Sequence, residues 1–485
     1  MQTKWTTIAP VFLALLGGAK PTLAQPTTDT QQEAIRKLNA RIDELQAQVA
    51  QIRSQLDALV GANVPETGAI ESRPTPPAAL QPSPERQLEG AGRATREHHT
   101  FAEDEEDAPR LDNVPLERTY PGFFYLPGTQ TMLRIDGFAR TEFIVDPTVS
   151  GLPDAFIPSF IPIPARGPAQ FAASIRASRI SADLRTPVGD RGSARAFIQL
   201  DFFGPDGTTA PRLRHFYGQL DNILVGQTFT NFMDPDAFPD TLDTQGVNAG
   251  INARIPQARY SAGLGKGWSG YFSIEQPFTN VAFPIHATPV EPLTRAPDGS
   301  IRLRKEWEGG HFQVATIFRD LSLRLPHGGP VQSVFGWGVN VTGGAEVFGR
   351  DNVVLGMAYG HGISRYAGDT AVLGLDAAPR SQTNLSLRSL PLFATYGSYQ
   401  HFWTPVLRSN ANFGFVQVQN TTFQAGNTYH NSIYSSANLI WNPVGSLDFG
   451  AEFIYGWVQN KNGETANAPR IQFTGRYRFV NHEER

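Results

Sequence analysis

From Thr131 onward the chain alternates apolar and polar residues with a period of two, over runs longer than a soluble sheet uses. In residues 133–145 one face carries Leu133, Ile135, Gly137, Ala139, Phe143 and Val145, and the other Arg134, Asp136, Phe138, Arg140 and Glu142. Residues 194–202, 335–341, 447–457 and 471–479 repeat the pattern, with Phe335, Trp337, Val339 and Val341 set against Gly336, Gly338, Asn340 and Thr342. Alternation alone also fits a soluble sandwich. Sandwich strands, however, are typically about 5–6 residues long, whereas a strand tilted across a bilayer needs about 9–11. Aromatic residues gather towards strand ends (Trp441, Tyr455, Trp457, Tyr477, Phe479), as interfacial girdles do. No helical period appears after residue 130, and a mean hydropathy of −0.28 is what alternating strands leave.

Sixteen spans follow: 131–146, 171–186, 191–203, 211–220, 222–231, 253–261, 268–276, 300–307, 311–325, 333–348, 352–363, 388–402, 407–420, 431–442, 447–460 and 470–479. Short turns alternate with long connections at Pro147–Gln170, Asn231–Asn252, Pro277–Gly299 and Ser364–Leu387. An even count puts both barrel ends on one side. The expected fold is therefore all-β, a 16-stranded antiparallel transmembrane β-barrel over residues 131–485.

Ahead of it, residues 1–24 read as a cleaved secretory signal: Lys4, an apolar stretch from Ile8 to Leu16, then Thr22-Leu23-Ala24. Residues 25–61 carry Ile35, Leu38, Ile42, Leu45, Val49, Ile52, Leu56 and Leu59 at alternating spacings of three and four, the core of a short self-associating coiled coil. Thr30 and Glu33 supply a capping box, and Gly61 the stop. Residues 62–130 are Pro-rich with the acidic run Glu103–Asp107, a composition that reads as a flexible, disordered linker. With both barrel ends periplasmic, the coiled coil falls in the periplasm.

Charge is distributed unevenly. Residues 1–118 hold 17 acidic and 12 basic side chains, whereas residues 119–485 hold 28 and 29. Lysine supplies only six of the 41 basic residues, so the barrel is built with arginine, whose planar fork suits carboxylate and phosphate. Inward-facing candidates are Arg134, Arg140, Arg176, Arg179, Arg195, Arg212, Arg214, Arg302, Arg304, Arg319 and Arg476. The polar parity switches between Arg176 and Arg179, which predicts a β-bulge there. Most of these arginines are expected to stiffen a polar wall, and a minority to select solutes. The third long loop carries Asp234, Asp236, Asp240 and Asp243; folded inward, it would set carboxylates opposite arginines and narrow the bore. Turn chemistry beside Pro235 and Pro239 is the plainer use of three of them.

Other classes find less support. Cysteine is absent, so no thiolate metal site or cysteine nucleophile exists, and no cofactor or metal is expected. The charge balance gives no reason to expect nucleic acid. No Gly-x-Ser-x-Gly elbow occurs, and His215, His311, His361 and His401 have no partner identifiable by spacing, so an enzyme is not expected.

Several stretches resemble the DcaP-like outer-membrane porins: Arg176-Ala-Ser-Arg179, Asp201-Phe-Phe-Gly204, Arg212-Leu-Arg-His-Phe-Tyr-Gly218, Gly226-Gln-Thr-Phe-Thr-Asn-Phe-Met-Asp-Pro235 with Asp243 and Gly246, and Arg259-Tyr260. The resemblance implies a trimeric, sixteen-stranded porin in a Gram-negative outer membrane, preceded by a coiled coil and favouring small anionic solutes such as dicarboxylates. The Pro-rich linker and the residues after Phe479 stand apart from that pattern. Two alternatives remain: a phosphate-selective porin, and a structural tether joining the outer membrane to a periplasmic or cell-wall partner through the coiled coil.

Overall fold

A computed structural model describes residues 122–189, 193–281, 291–325, 328–381 and 383–479. The signal segment, the coiled-coil heptads, the linker up to residue 121 and Val480–Arg485 lie outside the described residues.

Sixteen staves form one closed antiparallel sheet. They are β1 (Met132–Asp146), β2 (Gln170–Ser174 and Arg179–Pro187), β3 (Ser193–Asp201), β4 (Arg212–Leu220), β5 (Ile223–Phe229), β6 (Arg254–Gly265), β7 (Trp268–Glu275) and β8 (Asp298–Trp307). The second half comprises β9 (Gly310–Arg324), β10 (Val331–Val347), β11 (Asp351–His361), β12 (Pro391–Thr404), β13 (Leu407–Val418), β14 (Tyr429–Val444), β15 (Leu447–Asn460) and β16 (Thr465–Arg478). Each stave pairs with the next, and β1 closes on β16 from Phe138↔Arg478 to Val145↔Ile471. Closure leaves no sheet edge, which is what lets a β-structure cross lipid.

Sixteen strands agree with the sixteen spans read from alternation. Order begins earlier than the boundary at residue 131, because Phe124–Tyr125 folds back to pair with Leu133 and Met132. The parity switch in β2 is a real bulge. Glu142 pairs with Ser174 and Phe138 with Arg179, so β2 spends one residue more than β1 over the same length. A second irregularity, which the pattern did not reveal, lies where Gln199 pairs with His215 but Leu200 with Leu213, leaving Arg214 as the extra residue.

Period-two alternation becomes outside and inside. Ile135, Phe143, Phe216, Val225, Phe272, Ile301, Phe335, Leu355 and Phe453 are exposed on the outer surface, the contiguous apolar face expected of a wall in lipid. Exposed Trp268, Trp307, Phe348, Trp403 and Tyr477 stand near the short-turn end and form one aromatic girdle. The long connections 147–169, 230–253, 276–297 and 362–390 all leave the opposite end; they are named here loops 1, 3, 4 and 6.

Candidate functional site

Loop 3 does not project outward. From Asn231 to Asp243 nearly every residue is buried, and its hydrogen bonds reach β8–β10 first and then pass along the inner wall from β12 to β1. Asn340 of β10 donates to the Phe232 carbonyl at 2.9 Å, and Gln313 of β9 to the Met233 carbonyl at 3.0 Å. Asp234 takes Arg304 of β8 at 3.0 Å, His311 of β9 at 2.9 Å and the Thr342 hydroxyl of β10 at 2.6 Å. Asp236 takes the same Arg304 at 2.5 Å. Tyr396 of β12 donates to the Ala237 carbonyl at 3.0 Å. Asp240 accepts from Gln400 of β12 at 3.0 Å and from Arg408 of β13 at 2.8 Å, while Asn438 of β14 donates to its carbonyl. The Leu242 and Asp243 amides donate to Glu452 of β15 at 2.7 and 2.9 Å. Gln472 of β16 and Arg140 of β1 donate to the Leu242 carbonyl. These contacts lead from β8 round to β1.

Inward glycines give the loops room. A Cβ on Gly356 of β11 would stand 2.2 Å from the Tyr396 ring, and one on Gly338 of β10 would meet Phe232 at 3.2 Å. On Gly414 of β13 it would strike Asn248 at 2.3 Å, on Gly450 of β15 Leu242 at 2.8 Å, and on Gly456 of β15 Phe156 at 2.7 Å. These positions are sockets in the wall. Above them Phe156 and Ile161 of loop 1, Phe232, Met233 and Ile251 of loop 3, and Ile363 and Tyr366 of loop 6 share one apolar cluster with the inner faces of β9–β16. Asp369 ties loops 1 and 6 to β14, accepting from the Ser159 amide at 2.9 Å, Tyr429 at 2.8 Å and Ser432 at 2.5 Å. That half of the bore is packed like a protein core rather than filled with water.

The electrostatics of loop 3 divide. Burial alone would raise the Asp234 carboxyl, but the charges of His311 and Arg304 hold it well below the ordinary carboxylate range. Asp243 has no such partner among the described residues: its carboxylate accepts from the Phe156 amide at 3.2 Å, and burial, partly offset by Arg470, pushes it up to about 8. The turn-chemistry reading does not describe Asp234, whose side chain makes no cap to the short 3₁₀ turn it precedes.

The expected wall arginines take several positions. Arg140 pairs with Glu142 at 2.7 Å, Arg319 with Asp298 and Asp376 at 3.0 and 3.1 Å, and Arg476 with Asp448 at 2.5 Å. Arg134 approaches Asp136 at 3.9 Å, and Arg179 lies over the Phe138 ring at 5.5 Å. Arg176 binds Asp154 of loop 1 at 2.9 Å and donates to the Gly204 carbonyl, latching loop 1 to the β3–β4 connection. Arg195 and Arg185 share Asp183, and Arg212 and Arg214 share Asp201, Arg212 being half exposed at the loop end of its strand. Arg302 has its guanidinium carbon 3.7 Å from the Tyr271 ring centre. Residues missed from sequence include His311, Arg408, Glu452, Gln472 and Arg259. His311 and its partner Asp234 are 77 positions apart, so spacing could not join them, although inward parity on β9 marked the histidine. Among the described residues no group of three metal-ligating side chains occurs.

A closed sixteen-stave barrel, apolar outside and lined within by charge and an inwardly laid loop, is a diffusion channel of the Gram-negative outer membrane, a porin in contact with that membrane's lipid. The porin subfamily profile matches residues 120–468, and the chain belongs to that family. Its fold is similar to that of the outer membrane channel DcaP of Acinetobacter baumannii, with a TM-score of 0.65 and 21% identity over 74% of this chain and 100% of that one. More distant are an anion-selective porin from Comamonas acidovorans (TM-score 0.47, 9% identity, 72% of this chain and 100% of that) and OmpT of Vibrio cholerae (0.46, 11%, 73% and 99%). Only the DcaP likeness bears on the fold, and it agrees with the resemblance read from the residues. No curated protein sequence matches the chain. Family and fold are those of channels, not of enzymes.

Proposed function

We propose that this porin passes small hydrophilic anions, dicarboxylates among them, through a bore lined by the arginines of β2–β8 and narrowed by loop 3. One observation carries the reading. On β2–β4 each of two inward carboxylates is shared by two arginines, Asp183 by Arg185 and Arg195, and Asp201 by Arg212 and Arg214, while among the described residues Arg259 of β6 and Arg302 of β8 have no ion pair. Facing loop 3 the balance reverses, with Arg304 shared by Asp234, Asp236 and Glu306, and Arg408 matched to Asp240. A transverse field from a cationic wall to an acidic loop lowers the barrier for anions. Nothing favours phosphate selectivity through lysine: Lys266 lies in a turn, Lys305 beside Trp268, and Lys461 on the Gln424 carbonyl.

The test is the reversal potential of the reconstituted channel in a potassium chloride gradient. An anion-selective reversal, diminished in Arg179→Gln, is expected, and a cation-selective one overturns the proposal. The coiled coil is proposed to hold a trimer together in the periplasm. Removing residues 25–118 should then weaken the oligomer on unheated gels; loss of envelope integrity with an intact oligomer would favour the tether instead.

A further inference from the structure

Among the described residues, the buried wall arginines Arg259 and Arg302 have no counter-ion. Arg259 of β6 is 5% exposed, and it donates only to neutral acceptors, the Gln257 side-chain oxygen at 2.9 Å and the Phe229 carbonyl. Arg302 of β8 is 9% exposed; its guanidinium lies on the Tyr271 ring and its buried Nε has no acceptor. Among the described residues neither has a carboxylate within ion-pair distance. The nearby acids are committed elsewhere: Glu275 accepts from Thr230, Asn231 and Ser273, while Asp234 and Asp236 hold Arg304.

The two cations flank one strand. In the register Arg302 pairs across to Tyr271 of β7, and Arg259 to Ser273 two residues along the same strand. Each charge therefore acts on the other. Burying a charge without a partner is strongly unfavourable, and two like charges side by side are worse. Every other buried cation of the loop-3 contact has an acid. Stacking on Tyr271 covers one face of the Arg302 guanidinium and fixes its plane. An arginine fork held in this way recognises an oxyanion through paired N–H groups, and the ordering cost has already been met in folding.

We infer that Arg259 and Arg302, with Tyr271 as platform, form a saturable binding point for the carboxylate of a permeating small organic anion. The inference rests on the anion-selective reading and deepens it, since selectivity alone requires only a field and not a site.

The experiment uses the full chain in planar bilayers, with chloride as current carrier and succinate or orthophosphate added as probe. Succinate should reduce the chloride conductance along a saturating curve. Arg302→Gln and Arg259→Gln should each raise its half-blocking concentration by about tenfold or more, the loss of roughly one charge-assisted contact. Arg302→Lys should restore little, because the fork is lost with the charge kept. Tyr271→Glu places a carboxylate opposite Arg302; it should abolish the block and leave the heat resistance of the barrel on gels equal or higher. Equal block in folded Arg302→Gln and Arg259→Gln channels overturns the inference, as does retained block in Tyr271→Glu should the glutamine variants fail to fold. Block by orthophosphate without block by succinate overturns the carboxylate assignment. An anionic reversal potential with no succinate block defeats the binding point alone, whereas a cationic reversal defeats the selectivity on which it rests.

Discussion

The two sides of the barrel interior solve the same problem in opposite ways. Along β9–β16 the wall offers glycine sockets and amide side chains, loops fill them, and the cations that meet loop 3, His311 and Arg408, each hold an aspartate of it. Along β2–β8 the wall keeps bulky arginines, and cations outnumber their carboxylates. One wall is built to be covered and the other to be met by something that arrives. A polar lumen is thus not a uniform lining; its chemistry differs with what each arc of the circle faces.

The sharpest way to break this contrast is to remove Arg304, which holds both Asp234 and Asp236 of the loop. Arg304→Gln leaves Asp234 with His311 and takes the Arg304 fork from Asp236, and breaking such a buried pair costs about 3–5 kcal/mol. Expected are flickering, larger single-channel currents and a lower temperature of heat modification on gels. Adding Asp234→Asn and Asp236→Asn should recover part of the loss. Next comes Gly356→Ala, whose new methyl would occupy the Tyr396 ring; overpacking of this kind costs about 1–3 kcal/mol. It should loosen loop 3 in the same assays, with relief in the double variant carrying Tyr396→Ala.

A smaller effect belongs to pH. Asp243 in the packed loop keeps its proton up to about 8, whereas a released loop would give it up near 3.8. Packed loop 3 therefore binds more protons across that interval, so its packing weakens as pH rises from about 4 to about 8. Current noise should increase over that range and be flatter in Asp243→Asn. Asp234 has the opposite sign, and its contribution fades only as pH falls below the ordinary carboxylate value. The least change is expected from Arg212→Gln: the side chain is 47% exposed and Asp201 retains Arg214, so the shift in heat resistance should correspond to under about 1 kcal/mol.

Much of the barrel was legible because the side-chain period of a strand is the same everywhere and a slip of one residue inverts both faces. That rule found sixteen strands and located the bulge between Ser174 and Arg179. The bulge at Arg214 escaped because Leu213 and His215 around it do not break the polar count. Loop destinations were less visible. The aspartates of loop 3 could be named as opposites to wall arginines, but not that Asp240 would reach Arg408 or that Asp243 would meet Phe156 instead of a cation. Those partners are set by where four loops are laid inside a closed sheet, and local periodicity carries no record of it. The inward glycines were the overlooked signal: Gly338, Gly356, Gly414, Gly450 and Gly456 all fall on the parity where a polar side chain was due.

Those missing side chains make the inner wall a mould cast for one insert. Exchanging loop 3 for that of another channel would leave the three hollows that Phe232, Leu242 and Asn248 occupy unfilled or wrongly filled, so a graft of the loop alone should fit poorly. Variation in the loop and in the staves opposite it must then proceed together, a dependence that ties permeability to residues no passing solute need ever touch.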